Sequence, residues 1–308
     1  MITNNSSFFL RFIQYQKERF PFLAHIFLIG AFTFSAISYS RICRGMEGFI
    51  DWTYYFPTAF TTITLFFLLR VVDEFKDAED DANFRKHLPV PRGLINFKEL
   101  KWIGIVVVAL QIMINIYFFP KMLILWAVVI IYMSLMGKEF FVSEWLKHKP
   151  VWYIVSHMFI VPLIDIYASG ADWLLGDVSA PKGLMFFFAV SYMNGVVIEF
   201  GRKIKVPENE EHNTYSTLYG AKNATYIWIA VLLTTLILSI AAAYYAGYGQ
   251  TGAFVLIAEF ALCVLPALFF LNKQTMKSSK MIELSSAVWT FLMYMTLGAV
   301  PMISKLLA

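Results

Sequence analysis

This sequence is short of the residues from which soluble domains build their surfaces. Charged side chains make up 15% of its 308 residues, against 59% hydrophobic and 18% aromatic. Mean hydropathy is +0.63. So little charge cannot cover a water-soluble globule, and the chain reads as an integral membrane protein. Cysteine is scarcer still: Cys43 and Cys263 are the only two. They exclude a disulfide framework and lack metal-ligand spacing, so both read as packing residues. The net charge of +4 is small, and no nucleic-acid partner is expected. Arg11, Lys17 and Arg19 precede the first long apolar run without a small-residue cleavage site, so no cleaved leader is expected.

What is present is a succession of apolar runs. A span needs about 20 apolar residues to cross the hydrocarbon. Nine segments qualify, at 21–42, 52–72, 99–118, 121–142, 151–170, 183–201, 223–246, 251–271 and 284–304. With the N-terminus inside, Lys and Arg number 20 on the cytoplasmic side, leaving only Arg41, Arg44, Lys121, Lys182 and Lys305 on the other. The positive-inside bias therefore predicts N-terminus in and C-terminus out, in a multi-pass protein of the cytoplasmic membrane. The expected fold is all-α, one transmembrane domain over residues 1–308, with polar chemistry confined to the cytoplasmic face.

Two charged stretches fall on that face. The first, RVVDEFKDAEDDANFRKHLPVPRG at 70–93, places six carboxylates in the nine positions 73–81. Asp73, Asp77 and Asp81 recur every fourth residue, which on a helix lines them along one stripe. Like charges so spaced destabilise a helix unless a cation sits between them. Mg²⁺ prefers such hard oxygen ligands, completed by water and phosphate. Glu74 and Asp80 either join them or face solvent. Lys76, Arg85, Lys86 and Arg92 follow within reach of a phosphate, Arg offering it bidentate geometry. Pro89 and Pro91 stop the helix and stiffen the loop before Arg92. The bland alternative is a solvated helix end at the membrane border.

The pattern DEFKDAEDD followed by LPVPRG resembles the first aspartate-rich motif of the UbiA superfamily of intramembrane prenyltransferases. Topology and a second polar segment after the sixth span extend the resemblance over nearly the whole chain. It implies nine helices around a membrane-open chamber, Mg²⁺ as cofactor, and an isoprenyl diphosphate donor as partner with a lipid-soluble acceptor. By motif, Asp73, Asp77 and Asp81 become metal-binding positions, Asp73 standing where many relatives have Asn. The second segment, EFGRKIKVPENEEHNTYSTLYG at 199–220, departs from the pattern because it contains no aspartate. Glu199 is the candidate second metal ligand there, with Arg202 and Lys203 facing the diphosphate. Glu210 and Glu211 read as a solvated loop. Lys138, at the inner end of the fourth span, resembles the family's basic position near the diphosphate, and equally suits an ordinary cytoplasmic lysine.

Ionisable or polar groups inside spans usually face a cavity or a partner. Asn194, His157 and Glu259 are the candidates to line the chamber. Glu259 could serve as base for an acceptor proton or as a structural anchor, and His157 reads more readily as structural. The resulting expectation is a Mg²⁺-dependent transfer of an isoprenyl group with release of pyrophosphate. A membrane terpene cyclase that ionises the same donor is the alternative, and an ion-coupled transporter is the reading from another class.

Overall fold

A computed structural model describes residues 6–206 and 214–307; Glu210 and Glu211 lie outside them. The described residues form helices and connecting turns, with no strand among them. Eight helices are long and apolar enough to cross a membrane. They are α2 (Phe22–Cys43), α3 (Trp52–Lys76), α5 (Phe97–Phe118), the α8–α9 pair (Pro150–Met158 and Ile160–Trp173), α10 (Leu184–Arg202), α12 (Ala221–Tyr245), α13 (Gly249–Asn272) and a last span over Met276–Ser304 that opens with α14 (Met276–Tyr294). The expected fourth span, 121–142, is α6 (Met122–Gly137), a shorter apolar helix of 16 residues. At 1.5 Å per residue it is about 24 Å long, under the roughly 30 Å of a hydrocarbon core.

Local chemistry sets the helix ends. Asp51 accepts from the Thr53 amide at 2.8 Å to start α3. Asn96 and Glu99 form a reciprocal capping box at α5, and Thr275 and Ser278 do the same at α14. That second box begins the last span two turns before the expected 284, because Lys277 and Lys280 sit on helix rather than in a loop. The fifth span breaks at Phe159. Pro162, which has no amide hydrogen to return to Met158, accounts for the break.

An element unanticipated in the sequence precedes the first span. Helix α1 (Phe8–Arg19) is amphipathic: Phe12 and Tyr15 pack on the core, while Arg11 donates to both oxygens of Glu99 at 3.0 and 2.6 Å. Arg19 meets the buried Glu74 at 2.5 Å. Glu74 thus faces neither a ligand nor water.

Helix α2 is the hub, packed against α3, α9, α10 and α14. Directional bonds through α12 tie α2, α10 and α14 together. Tyr39 donates to the Ala242 carbonyl at 2.9 Å, and Trp228 donates to the Val197 carbonyl and Ser286 at 3.1 and 3.0 Å. At the end of the bundle opposite α1, buried Asp172 accepts from Ser40 at 2.7 Å and Arg44 at 2.9 Å. The last span winds into a π-helical segment at Met295–Ala299, where Gly298 lies so close to α2 that a Cβ there would sit 2.4 Å from the Ser35 Cα. Gly298→Ala is therefore expected to cost about 1–3 kcal/mol, typical of overpacking against backbone, read as a lowered unfolding midpoint in detergent.

Candidate active site

The acidic stretch does not run as one helix. Helix α3 stops at Lys76, Asp77 takes φ −90° and ψ 10°, and α4 (Ala78–Phe84) restarts at the next residue. The four-residue hydrogen bonds continue through the break, the Asp77 amide donating to the Asp73 carbonyl and the Asp81 amide to the Asp77 carbonyl, both at 2.8 Å. Asp81 is buried and paired to Arg85 at 3.0 Å, with Arg19 at 3.9 Å. Asp73 and Asp77 stay together because Lys76 lies between them, its Nζ 3.5 Å from one carboxylate and 3.7 Å from the other. Among the described residues, no three His, Cys, Asp or Glu side chains converge as a metal cluster.

Lys76 leads to the second charged stretch. Its Nζ donates to the Tyr153 hydroxyl at 2.7 Å and lies 5.2 Å from the centre of that ring. From the other side, Lys203 Nζ lies 5.9 Å from the Tyr153 ring and 5.4 Å from that of Tyr215. Tyr215, on α11 (Tyr215–Tyr219), stacks on Phe200 at 4.0 Å. Segments 126 residues apart in sequence, counted from Asp73 to Glu199, thus meet across one tyrosine on α8.

Glu199 is buried, and both its oxygens are engaged. Oε2 accepts from Arg202 at 2.5 and 2.6 Å, and Oε1 faces Lys203 Nζ at 2.8 Å. Mg²⁺ fits Asp73 and Asp77, which stay partly exposed and hold Lys76 only at ion-pair distance. A metal with phosphate and water ligands asks for one or two such carboxylates. Glu199 does not fit, since both oxygens already carry short charge-assisted bonds.

The other expected residues are dispersed. Arg92 is held bidentately by Glu18 on α1 at 2.7 and 2.8 Å, so its guanidinium is closed to a phosphate in this arrangement. Lys138 caps α6 and is exposed. Asn194 accepts from Trp289 at 3.1 Å, and Glu259 accepts from Thr296 at 2.7 Å on the π-helical segment; both tie helices together. His157 stacks on Tyr153 at 3.9 Å, with Nδ1 2.9 Å from the Tyr153 carbonyl, beside the site rather than deep in the bundle.

Two residues were missed in the sequence. Tyr153 is one of sixteen tyrosines and carries no motif. Glu139 follows α6 in a left-handed turn, with φ of 48°, 54° and 61° at Glu139, Phe140 and Phe141. Such a conformation costs roughly 1–2 kcal/mol per non-glycine residue, and no sequence signature announces it. Phe140 anchors the turn edge-on to Tyr132 and His157 at 5.4 and 6.0 Å. Burial pushes the Glu139 carboxyl up from its ordinary range, against the pull of Lys76 and with the help of Asp77. Asp77 is likewise raised by burial, opposed by Lys76.

Lys76 is thus a resident cation that any divalent ion entering between Asp73 and Asp77 would have to displace. Lys76→Met is expected to tighten Mn²⁺ binding by about tenfold, the factor that corresponds to about 1.4 kcal/mol, as read by electron paramagnetic resonance without any donor present. Tyr153→Phe removes a hydrogen bond to a charged partner and is expected to cost about 1.5–3 kcal/mol of stability, checked by thermal unfolding in detergent.

Comparison with known proteins follows the same lines. A solved structure titled as a study of digeranylgeranylglyceryl phosphate synthase in membranes superposes with a TM-score of 0.57 at 15% identity, covering 91% of this chain and 98% of that one. At that identity the likeness establishes the fold. A search of curated proteins finds no match. The profile of the UbiA prenyltransferase family matches residues 31–292, from α2 into the last span. A match over most of the chain, on an all-helical multi-pass fold, establishes that this protein belongs to the UbiA prenyltransferase family.

Proposed function

We propose that the protein is a Mg²⁺-dependent intramembrane prenyltransferase that moves an isoprenyl group from its diphosphate to a lipid-soluble acceptor. The observation that carries this reading is the meeting, at Tyr153, of Lys76, which lies between Asp73 and Asp77, with Lys203 from the second charged stretch. Carboxylates on one wall and cations on the other make a site for a metal-bound polyanion. The positive-inside count sets this site on the cytoplasmic side.

When bound, Mg²⁺ at Asp73 and Asp77 supplies positive charge for the departing diphosphate. Lys76, once displaced from its two carboxylates, would be available to hold an anion at the same place. Arg202 and Lys203 approach them from α10 and its C-terminal cap. The C1–O bond of the donor breaks and its electron pair leaves with the diphosphate. A bond from the acceptor to C1 forms, and the acceptor gives up a proton. Arg85, paired with Asp81 on α4, and the exposed Lys138 at the end of α6 add positive charge to the same face of the bundle. Tyr153, with Lys76 and Lys203 near its ring, gives the site an aromatic face, the kind of surface against which cationic charge is stabilised.

The test is pyrophosphate release from farnesyl, geranylgeranyl and longer isoprenyl diphosphates by the detergent-solubilised protein with Mg²⁺, before and after adding a lipid extract. Turnover that waits for the extract supports transfer. A cyclic terpene made from the donor alone identifies a cyclase instead. Asp77→Ala and Asp73→Ala are each expected to lower turnover by at least about 100-fold, on the order of 2.7 kcal/mol of transition-state stabilisation; unchanged turnover in both would sink the reading.

A further inference from the structure

One buried polar atom beside the site has nothing to bind. His157 is 4% exposed, and its Nε2 has no hydrogen-bond partner among the described residues. The other ring nitrogen decides which tautomer is present. Nδ1 lies 2.9 Å from the Tyr153 carbonyl and 3.2 Å from Ser156 Oγ, and that hydroxyl directs its own hydrogen to the carbonyls of Trp152 and Tyr153, at 2.8 and 3.1 Å. Nδ1 therefore faces only acceptors and carries the ring hydrogen. Nε2 is left with a lone pair, since a second N–H there would meet no acceptor.

The place of this ring in the fold gives the lone pair its meaning. Helix α8 begins at Pro150, at the end of the bundle where the two charged stretches meet, and His157 follows Tyr153 by one turn. It therefore lies about 6 Å further along the axis than the tyrosine that Lys76 and Lys203 approach. That is the step from the charged end towards the hydrocarbon, where the reacting carbon of a donor anchored by its diphosphate would lie. The imidazole is held there, stacked on Tyr153 at 3.9 Å and edge-on to Phe140 at 6.0 Å. Its helix is gripped from both sides, Tyr132 of α6 donating to the Ser156 carbonyl at 2.6 Å and Tyr192 of α10 to that of Val155 at 3.4 Å. A buried lone pair fixed in this way and left unbound calls for a hydrogen-bond donor from a ligand.

We propose that His157 is the base of the transfer step, its Nε2 accepting a hydrogen bond from a hydroxyl of the lipid acceptor and then taking that proton. This rests on the transfer reading above and deepens it, because it makes the acceptor a hydroxyl-bearing lipid. The donor's C1–O bond breaks and its electron pair leaves with the diphosphate. The acceptor oxygen forms a new bond to C1, and the hydroxyl proton passes to Nε2. The imidazolium so formed lies against the face of Tyr153 and returns its proton to water as the ether product leaves.

Two measurements on the full chain in detergent decide it. In the first, protein carrying isotope-labelled histidine is read by nitrogen NMR, with His157→Gln identifying the His157 signals among those of the five histidines. The neutral ring protonated at Nδ1 is expected, its Nε2 signal moving when dodecanol or a diacylglycerol is added and staying in place with dodecane. A ring protonated at Nε2, or an Nε2 signal that neither hydroxyl-bearing lipid moves, overturns the proposal. In the second, product formation with a lipid extract as acceptor source is measured for His157→Ala. A loss of about 100-fold is expected, with about tenfold recovered by added imidazole and none by pyrrole, which has the same size and no basic nitrogen. Undiminished turnover, no recovery with imidazole, or equal recovery with both heterocycles overturns it. Should His157→Ala not fold, the first measurement decides alone. A wild type that makes no product from any isoprenyl diphosphate would strike the proposed activity, whereas the hydroxyl site is still decided by the first measurement, which needs no turnover.

Discussion

A bilayer core offers no water to hydrate a carboxylate or bond an open backbone group, and that constraint shapes this molecule throughout. Several of the polar groups that the spans carry inward find partners on other helices. Gln111 bridges Trp126 on α6 and Thr64 on α3, both at 2.8 Å, and Asn115 receives Tyr167 from α9 at 2.9 Å. Hydroxyls with no such partner turn back on their own helix, as Thr62 does to the Thr58 carbonyl and Thr290 to that of Ser286. The apolar side chains left over, Phe254, Ile257 and Leu262 on α13 among them, stay exposed on the outside of the bundle.

The same constraint makes the inner face chemically useful. Charges there cannot be left to solvent alone, so they pair across elements: Arg11 with Glu99, Arg19 with Glu74, Arg92 with Glu18. These pairs bind α1 to the rest and take several candidate residues out of circulation. What remains is a small set whose partners are loose or shared. Asp73 and Asp77 share one lysine, and Arg202 and Lys203 share one glutamate. Arg70 also stands 3.8 Å from Asp73, so the α3 carboxylates are balanced by loose ion pairs, at 3.5 to 3.8 Å, that a stronger cation can replace.

The break at Asp77 shows how local geometry redirects a motif. Three aspartates at four-residue spacing resemble a ligand stripe; here the third, Asp81, is buried with Arg85 and Arg19 while Asp73 and Asp77 stay partly exposed. Repulsion among Asp77, Glu79, Asp80 and Asp81 over five residues opposes that continuity, and the chain resolves it by ending α3 and burying Asp81 against Arg19 and Arg85. The left-handed turn at Glu139 adds a further carboxyl near Asp77 by an equally local distortion.

Composition and periodicity in the sequence alone determined the membrane class, the all-helical fold, the approximate positions of the spans and the two charged stretches on one face. These follow from transfer free energies and helix geometry, which act on runs of residues and need no knowledge of neighbours. The family was legible for the same reason, since Asp73, Asp77 and the Pro-rich loop lie within one short segment. Which charges are free was decided only in the tertiary structure. Glu18 is 74 positions from the Arg92 it closes, and Tyr153 lies between Lys76 and Lys203, each at least 50 positions away in sequence. No spacing rule reaches that far; the distances are set by how α1, α3, α8 and α10 pack, and with them whether a carboxylate faces a metal or an arginine.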